Sequence, residues 1–385
     1  MVAVVTDIQY RMAVPLIRSL ARSGWQVIAT EYSDVPGHEC LGFASRHCWK
    51  RERMSRQNPV DWLLELPQRL GLSAAPAIIP VGAFTIAALS RSREQWWGKL
   101  RTLVPAPAVL DLCNDTGSLL KQAEKAGVRT PQTAVRSQYG ATEVLADAMP
   151  LPAVIKYRKG ELLGLKPGER YRIVTTREQL IQEYDRMRAV QDDPLVQEYI
   201  EGDGYGVGLL VDKQGGVRDL ICHHRLRQYP VTGGPSACCE SLWDPDLASA
   251  ASRLMAAIGY TGIGMVEFRG RPGDYTLMEI NPRFWGASPL IDVCGSGFYQ
   301  NAANLFHGAQ TAPFNADKPD YDTGKTMRYF PQDVLARMGL ASGRAAKAGQ
   351  ALRALLDLKT KEGLFRASDP MPFWRYMRHT LRRRS

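Results

Sequence analysis

The sequence predicts an α/β fold with more than one domain, and three observations support this prediction. The 385 residues exceed one ordinary domain, and an apolar fraction of 45% lets each domain bury its own core. Strand-like and helix-like runs alternate over residues 1–112, which is typical of a parallel sheet covered by helices. Beyond them, a glycine-rich hairpin and two further paired strands indicate additional sheet.

The first domain, residues 1–112, begins with a strand at 2–5 and a helix that ends at Gly24. The apolar face of this helix is formed by Val14, Ile17 and Leu20. A second strand follows at 25–30, and an apolar run at 77–81 leads into another short helix. No G-x-G-x-x-G motif follows the first strand, so a dinucleotide site is not indicated, although a small-molecule crevice at the strand ends remains open.

The second domain, residues 113–200, starts with a helix whose first residue is Asn114 or Asp115. A strand at 153–157 follows. The next helix starts at Thr176, which is predicted to form a capping box with Gln179. A strand at 195–200 closes the domain.

The third domain, residues 201–313, contains a glycine-rich hairpin at 202–221. Asp244 is the predicted N-cap of its helix, because a proline occupies the first helical position after it. Two strands, 262–269 and 275–281, complete the domain.

Residues 314–385 are predicted to form a C-terminal helical extension with a basic tail. The net charge is +10, and five arginines lie in the last eleven residues: Arg375, Arg378, Arg382, Arg383 and Arg384. Four apolar or aromatic residues accompany them: Phe373, Trp374, Tyr376 and Met377. The tail therefore fits either a solvated, frayed terminus, which we prefer, or a weak contact with a membrane surface or acidic partner. Net charge alone does not predict specific nucleic-acid binding.

The seven cysteines are irregularly spaced and show no disulfide framework, which favours a reducing, cytoplasmic compartment. The apolar run at the N-terminus is too short for a signal peptide, and no apolar stretch reaches membrane-spanning length. Neighbouring histidines and cysteines lack recognised zinc spacing, so we interpret them as ordinary loop or core residues. The sequence thus indicates neither a secreted nor a transmembrane protein.

The most informative polar residues lie on the last two predicted strands of the third domain. On an extended strand Glu279, Asn281 and Arg283 point to one side, because side chains alternate between the two faces. A paired antiparallel strand would bring Glu267 alongside them. Two carboxylates and an amide oxygen suit Mg²⁺, and Arg283 could neutralise a transferring phosphoryl group.

These residues resemble the signature of the ATP-grasp superfamily, which has an acidic residue on one strand and E-x-N-x-R on the next. The sequence at 281–286, Asn-Pro-Arg-Phe-Trp-Gly, is similar to the carbamoyl-phosphate-synthase-like branch of that superfamily. The resemblance implies a Rossmann-like pre-ATP-grasp domain followed by a two-lobed ATP-grasp domain. It also implies that Glu267, Glu279 and Asn281 bind two Mg²⁺ ions, with Mn²⁺ as an alternative, together with ATP.

Further residues acquire roles from the same resemblance. Lys156 lies at the position of a strand lysine that contacts the ATP phosphates. The segment between the two lobes would bind adenine and ribose, through Glu198, Tyr199, Ile200, Glu201 and Asp203. Arg225 and Arg227 fall beside the γ-phosphate and the acceptor, where a guanidinium can hold a carboxylate or phosphate through two hydrogen bonds.

The sequence departs from the family pattern at two places, where the roles of the family's residues do not carry over directly. A helix-opening lysine that often occurs in relatives is replaced by Thr116. The loop after Lys156 carries charged residues and spaced glycines instead of consecutive glycines. We hypothesise that Lys159 and Lys166 in this loop replace backbone amides in holding phosphates.

The sequence therefore predicts an ATP-dependent ligase that joins a small carboxylate to an amine, or to a thiol, through an acyl phosphate and releases ADP and phosphate. One alternative is an ATP-binding regulatory or scaffold protein that has lost catalysis, which the altered loop favours. Another is an enzyme that forms carbamate or carboxyphosphate. The sequence does not specify the two substrates or the oligomeric state, and a homodimer remains open.

Overall fold

The computed structural model of the chain describes residues 1–165, 167–315 and 318–382. Its strands form three sheets of four, seven and four strands. This mixed α/β architecture agrees with the fold class predicted from the sequence.

The N-terminal sheet contains only parallel strands, in the order β3-β2-β1-β4. Its elements are β1 Val2–Val5, α1 Ala13–Arg22, β2 Gln26–Tyr32, β3 Cys48–Met54, α2 Pro59–Arg69, β4 Ala77–Ile79, α3 Ala83–Arg91, α4 Arg93–Trp96 and α5 Pro107–Asn114. The predicted parallel sheet is therefore confirmed. Because the strands are parallel, their carboxyl ends meet at one edge, which carries Asp7, Glu31 and Gly82.

The second unit has a four-stranded antiparallel sheet in the order β5-β8-β6-β7. Its elements are α6 Thr116–Lys125, β5 Thr133–Ala134, α7 Thr142–Ala148, β6 Ala153–Lys156, β7 Tyr171–Val174, α8 Arg177–Arg188 and β8 Leu195–Glu198. Asp115 caps α6 by accepting a hydrogen bond from the Ser118 amide. Thr176 caps α8 by accepting a hydrogen bond from the Gln179 amide. The Gln179 side chain accepts a hydrogen bond from the amide of Thr175 and not from that of Thr176, as a capping box would require.

The third unit is built on the seven-stranded sheet, in the order β13-β12-β9-β10-β11-β14-β15. Its first elements are β9 Asp203–Val211, β10 Val217–Gln228, β11 Ser236–Leu242, α9 Pro245–Ala257, β12 Gly262–Arg271, β13 Asp274–Asn281, α10 Leu290–Val293 and α11 Phe298–His307. Asp244 caps α9 through the amides of Asp246 and Leu247, as its position before Pro245 predicts.

The C-terminal residues contain strands as well as helices. Their elements are β14 Thr326–Arg328, α12 Phe330–Gly339, α13 Arg344–Leu356, β15 Lys361–Glu362 and α14 Met371–Arg382. Strand β14 pairs with β11, and β15 pairs with β14, so both strands extend the large sheet. The predicted helical extension at 314–385 is thus partly sheet.

Helix α14 packs against the N-terminal unit. Phe373 and Tyr376 are buried in the same core as β1 and β2, and the Arg375 guanidinium donates to two carbonyls of the 37–40 loop. The preferred interpretation of the tail as a solvated, frayed terminus is therefore wrong for this helix, because residues three apart present one apolar face. Arg383 and Arg384 lie outside the described residues.

The large sheet separates two hydrophobic cores. One face packs against the N-terminal sheet and α11, and the other packs against α6 and α9. A third core lies between the small sheet and helices α7 and α8. The seven cysteines are all free thiols and are buried. Within the described ranges, no helix is long and apolar enough to cross a membrane.

Candidate functional site

The candidate site is built on the pairing of β12 with β13. Glu267 lies directly opposite Glu279 in this antiparallel pair, and Asn281 lies opposite Met265. Positions two apart on a strand share a face, so both carboxylates and the amide project to the same side. The Asn281 Nδ2 donates to Glu279 Oε1 at 2.7 Å. The structure thus brings together the three residues that the resemblance implied as metal ligands.

Two cations approach these carboxylates from different sheets. Arg225, on β10, forms an ion pair with Glu267 at 2.8 Å between Nη2 and Oε1, and this carboxylate raises the arginine pKa. Lys156 is the last residue of β6 in the small sheet. Its burial lowers the lysine pKa to about 8, while the charges of Glu279 and Glu267 act in the opposite direction. Lys156 therefore lies within electrostatic range of both carboxylates.

A bulge in β10 separates the two arginines that the sequence placed together. Arg225 pairs with Cys239 of β11, but Arg227 pairs with Cys238, one residue away instead of two. Neighbouring residues of a strand face opposite sides, so Arg225 and Arg227 project to opposite faces of the sheet. Arg227 instead forms an ion pair with the buried Asp333 of α12. The structure places Arg225 at the carboxylates and Arg227 in this separate ion pair.

Alternate glycines of β9 make room for two aromatic rings above the same face. A Cβ atom at Gly206 would lie 2.2 Å from Cε1 of His223, and one at Gly208 would lie 2.0 Å from Cη2 of Trp285. The two rings stack at an interplanar angle of 13°. The close contacts of Gly206 and Gly208 are therefore with aromatic side chains, and a residue with a Cβ atom at either position would displace a ring.

His223 is a site residue that the sequence analysis missed. Its ring is buried, burial lowers its pKa to about 3, and Arg225 acts in the same direction. The alternation along β10 could have identified it, because His223 and Arg225 are two residues apart and share a face. The imidazole is neutral at physiological pH and forms part of the floor beside Glu267.

Arg283 follows the end of β13 in a tight turn. Its backbone amide donates to the Asn281 carbonyl at 2.8 Å, and its charge acts on the hydroxyl of Tyr10 in the N-terminal unit. The carboxyl end of β1 therefore lies near the candidate site. Burial raises the pKa of Tyr10, and Arg283 partly offsets this effect.

The segment proposed to bind adenine and ribose connects β8 of the small sheet with β9 of the large one. The Glu198 backbone amide donates to the Gln132 carbonyl at 2.9 Å, and the Glu198 carboxylate accepts from the Gln132 amide at 3.2 Å. The Tyr199 hydroxyl accepts a hydrogen bond from Arg269. Ile200 is half-buried between these contacts and the first residues of the large unit.

The two acidic residues of this segment have basic partners. Glu201 is exposed and lies 3.7 Å from Arg271, and Asp203 lies 3.1 Å from the Nε2 of His224. The five residues therefore lie together between the sheets, but no contact among the described residues assigns a nucleotide to them.

The loop after β6 is held to the start of α6. The Thr116 amide donates to the Arg158 carbonyl, and the Arg158 guanidinium lies 3.3 Å from the Asp115 carboxylate. Arg158 thus brings a positive charge to the start of α6, next to Thr116. Lys159 is exposed, and Lys166 lies outside the described residues.

A sequence model of the family described as "ATP-grasp in the biosynthetic pathway with Ter operon" matches residues 191–328. The D-alanine–D-alanine ligase of Idiomarina loihiensis is 30% identical over 132 residues, which are 32% of this chain and 41% of the relative. A pyruvate carboxylase subunit from Methanothermobacter thermautotrophicus is 25% identical over 247 residues, which are 61% of this chain and 49% of the relative. The chain thus spans less than half the length of these two curated relatives.

Two solved structures resemble most of the chain. The biotin carboxylase domain of Hydrogenobacter thermophilus 2-oxoglutarate carboxylase superposes with a TM-score of 0.63 at 19% identity, over 84% of this chain and 73% of that one. Phosphoribosylglycinamide synthetase from Anaerococcus prevotii gives a TM-score of 0.59 at 15% identity, over 84% and 79%. At these identities the likeness shows a shared fold.

Proposed function

We propose that the chain is an ATP-grasp enzyme that acts as a Mg²⁺- and ATP-dependent ligase and activates a carboxylate as an acyl phosphate. The ATP-grasp family model over residues 191–328, the ligase relative and the shared fold support this proposal. The observation that carries this proposal is the facing pair Glu267 and Glu279, with Asn281 beside them and two cations within reach. The curated relative named D-alanine–D-alanine ligase agrees with a ligase reaction.

The residues present fit a magnesium site. Mg²⁺ prefers oxygen ligands and takes one or two carboxylates together with substrate phosphates and water. Glu267 and Glu279 supply two carboxylates, and Asn281 can add an amide oxygen. These ligands are two carboxylates and one amide, and among the described residues no group of three or more His, Cys, Asp or Glu side chains is placed to hold a metal ion. Bound there, Mg²⁺ would neutralise charge on the β- and γ-phosphates.

The remaining side chains would position the reactants. Lys156 would contact phosphate oxygens from the small sheet, and the 198–203 segment would hold the nucleoside between the units at 113–200 and 201–313. Arg283 and Arg225 would stabilise the charge that develops on the phosphoryl and acyl oxygens. The carboxyl end of β1, at Tyr10, would face the organic substrates. Arg227 has no part in this proposal, because its side chain is on the opposite face.

The proposed reaction has two steps. A carboxylate oxygen of the substrate attacks the γ-phosphorus of ATP, the bond from that phosphorus to the bridging oxygen breaks, and ADP leaves. An amine nitrogen then attacks the acyl carbon, the carbon–oxygen bond to phosphate breaks, and the amine loses a proton. The products are an amide, ADP and phosphate. A thiol acceptor would give a thioester by the same sequence.

The first test is calorimetric titration of the folded chain with ATP, with and without Mg²⁺. We expect metal-dependent binding in the native chain and its loss in Glu279→Gln. The matched control is Glu240→Gln, which removes a strand carboxylate from the opposite face of the same sheet and should leave binding unchanged. Failure of the folded native chain to bind ATP would refute the ligase, whereas metal-dependent ATP binding without turnover of any carboxylate would favour the ATP-binding scaffold.

The second test identifies the carboxylate. Hydroxylamine captures acyl phosphates as hydroxamates, so pooled carboxylic acids can be screened with ATP and then deconvoluted. Several relatives are carboxylases by name, which keeps carboxyphosphate formation as a second candidate. Phosphate release that depends on bicarbonate alone, with no hydroxamate from any organic acid, would favour that second reaction.

A further inference from the structure

Helix α13 is attached to the molecule along one narrow edge. Of its thirteen residues only Ala354 is fully buried, and Gln350 and Ala351 are partly covered. The helix packs on α12 and leaves most of its circumference in solvent. Such a helix is expected to be polar on its exposed side.

The exposed side of α13 is apolar instead. Leu352, Leu355 and Leu356 are 56%, 60% and 69% exposed, although leucine side chains are normally buried. At about 100° per residue, these three side chains lie on the side of the helix away from Ala354. Ala345, Ala348 and Gly349 occupy the same side and are also exposed. We call this surface the leucine face.

Two further exposed leucines flank α13 in the chain. Leu340 precedes α13 and is 68% exposed, and Leu358 follows it and is 86% exposed. Single exposed leucines are common on protein surfaces, but five within nineteen consecutive residues mark an interaction site.

The charges around the leucine face are almost all positive. Arg344 and Arg353 lie at its two edges, because each is about 90° around the helix from its centre. Lys347 and Lys359 are also exposed. The one acidic residue between positions 340 and 360 is Asp357, which is already paired with Arg337 at 2.8 Å. The face is therefore apolar with cationic margins and no free acid.

We propose that the leucine face binds the surface of an anionic lipid bilayer, with α13 lying in the plane of the membrane. In that position the leucines enter the boundary between headgroups and acyl chains, while the long arginine side chains reach back to the lipid phosphates. A second copy of the chain fits less well, because two such faces would bring like charges together.

This surface differs from the one suggested by the sequence. The C-terminal tail combines arginines with aromatic residues in its sequence, but Phe373 and Tyr376 are buried in the core. These two aromatic residues are therefore not available to a membrane, whereas the leucines of α13 are exposed. The inference concerns location and does not depend on the proposed ligase activity.

The test is sedimentation of the full chain with vesicles. We expect binding to vesicles containing 30 mol% phosphatidylglycerol in phosphatidylcholine, and much weaker binding to phosphatidylcholine alone. Leu355→Ser with Leu356→Ser should weaken binding by roughly tenfold or more. Arg344→Gln with Arg353→Gln should weaken it by about thirtyfold and reduce its sensitivity to salt.

Matched controls separate the leucine face from general surface properties. Val144→Ser with Val190→Ser removes exposed apolar residues elsewhere, and Arg91→Gln with Arg186→Gln removes exposed charges elsewhere. Both double variants should bind vesicles like the native chain. Equal loss in the controls, or no binding by the native chain to anionic vesicles, would refute the proposal. Leucine-dependent self-association without vesicle binding would assign the face to a second copy.

Discussion

Replacing Lys156 with methionine should stabilise the free protein while removing its ability to bind nucleotide. Burial lowers the pKa of this lysine from 10.5 to about 8, so the folded state holds the charged ammonium less favourably than the unfolded chain does. Methionine has a similar length and no charge. The substitution therefore removes a destabilising charge from the folded protein without leaving a large cavity.

The size of the effect follows from the two pKa values. A tenfold change in proton affinity corresponds to about 1.4 kcal/mol. The difference between pKa values of 10.5 and about 8 therefore means that the Lys156 charge destabilises the folded state by at most roughly 3 kcal/mol. Between these two pH values the unfolded chain binds more protons at Lys156 than the folded protein does. The charged lysine therefore destabilises the folded state by the full amount below pH 8. This destabilisation falls to about 2 kcal/mol at pH 9 and disappears above pH 10.5.

The measurement is urea unfolding of the native chain and Lys156→Met at pH 7 and pH 9. We expect a gain in the free energy of unfolding that is larger at pH 7. Lys121→Met, which changes an exposed lysine on α6, is the control for the general effect of methionine. A gain that does not change with pH, or a loss of stability at pH 7, would show that burial does not penalise the Lys156 charge.

Three other substitutions test separate parts of the structure. Gly208→Ala should cost about 3 kcal/mol in thermal or urea unfolding, because its methyl group would overlap the Trp285 ring. Glu31→Gln should raise the free energy of unfolding at pH 8 by up to roughly 3 kcal/mol and change it little at pH 4.5. Burial raises the Glu31 pKa from 4.5 to about 7, so the folded state binds the extra proton and native stability falls as pH rises between these values. Asp369→Ala should cost about 3–5 kcal/mol and make α14 susceptible to limited proteolysis, because Arg18 would remain buried without its carboxylate.

The predictable parts of the fold depend on short-range patterns. The start of α9 could be read from Asp244 and Pro245, since an N-cap side chain and a proline in the first turn both act within a few residues. The shared direction of Glu279 and Asn281 follows from strand alternation alone. These local rules produced the resemblance to the ATP-grasp superfamily, whose family model matches residues 191–328.

The remaining features depend on contacts between distant residues. The bulge that separates Arg225 from Arg227 is set by pairing with β11, and alternation without the bulge places both arginines on one face. The burial of Phe373 depends on the N-terminal sheet, more than three hundred residues earlier in the chain. Periodicity can show that a helix has an apolar face, but it cannot show what covers that face.

The electrostatics of the candidate site connect its architecture to the proposed chemistry. Like charges directly opposite in an antiparallel pair destabilise a sheet, so Glu267 and Glu279 require cations nearby. The Arg225 Nη2 atom lies 2.8 Å from Glu267 Oε1, and Lys156 contributes a second positive charge from the small sheet, where burial lowers its pKa. On the proposed function, Glu267 would help to hold Mg²⁺, and the Arg225 guanidinium that now pairs with this carboxylate would be available to phosphoryl or acyl oxygens. The bulge after Arg225 is then a functional feature, because it keeps this arginine on the carboxylate face while Arg227 is committed to Asp333.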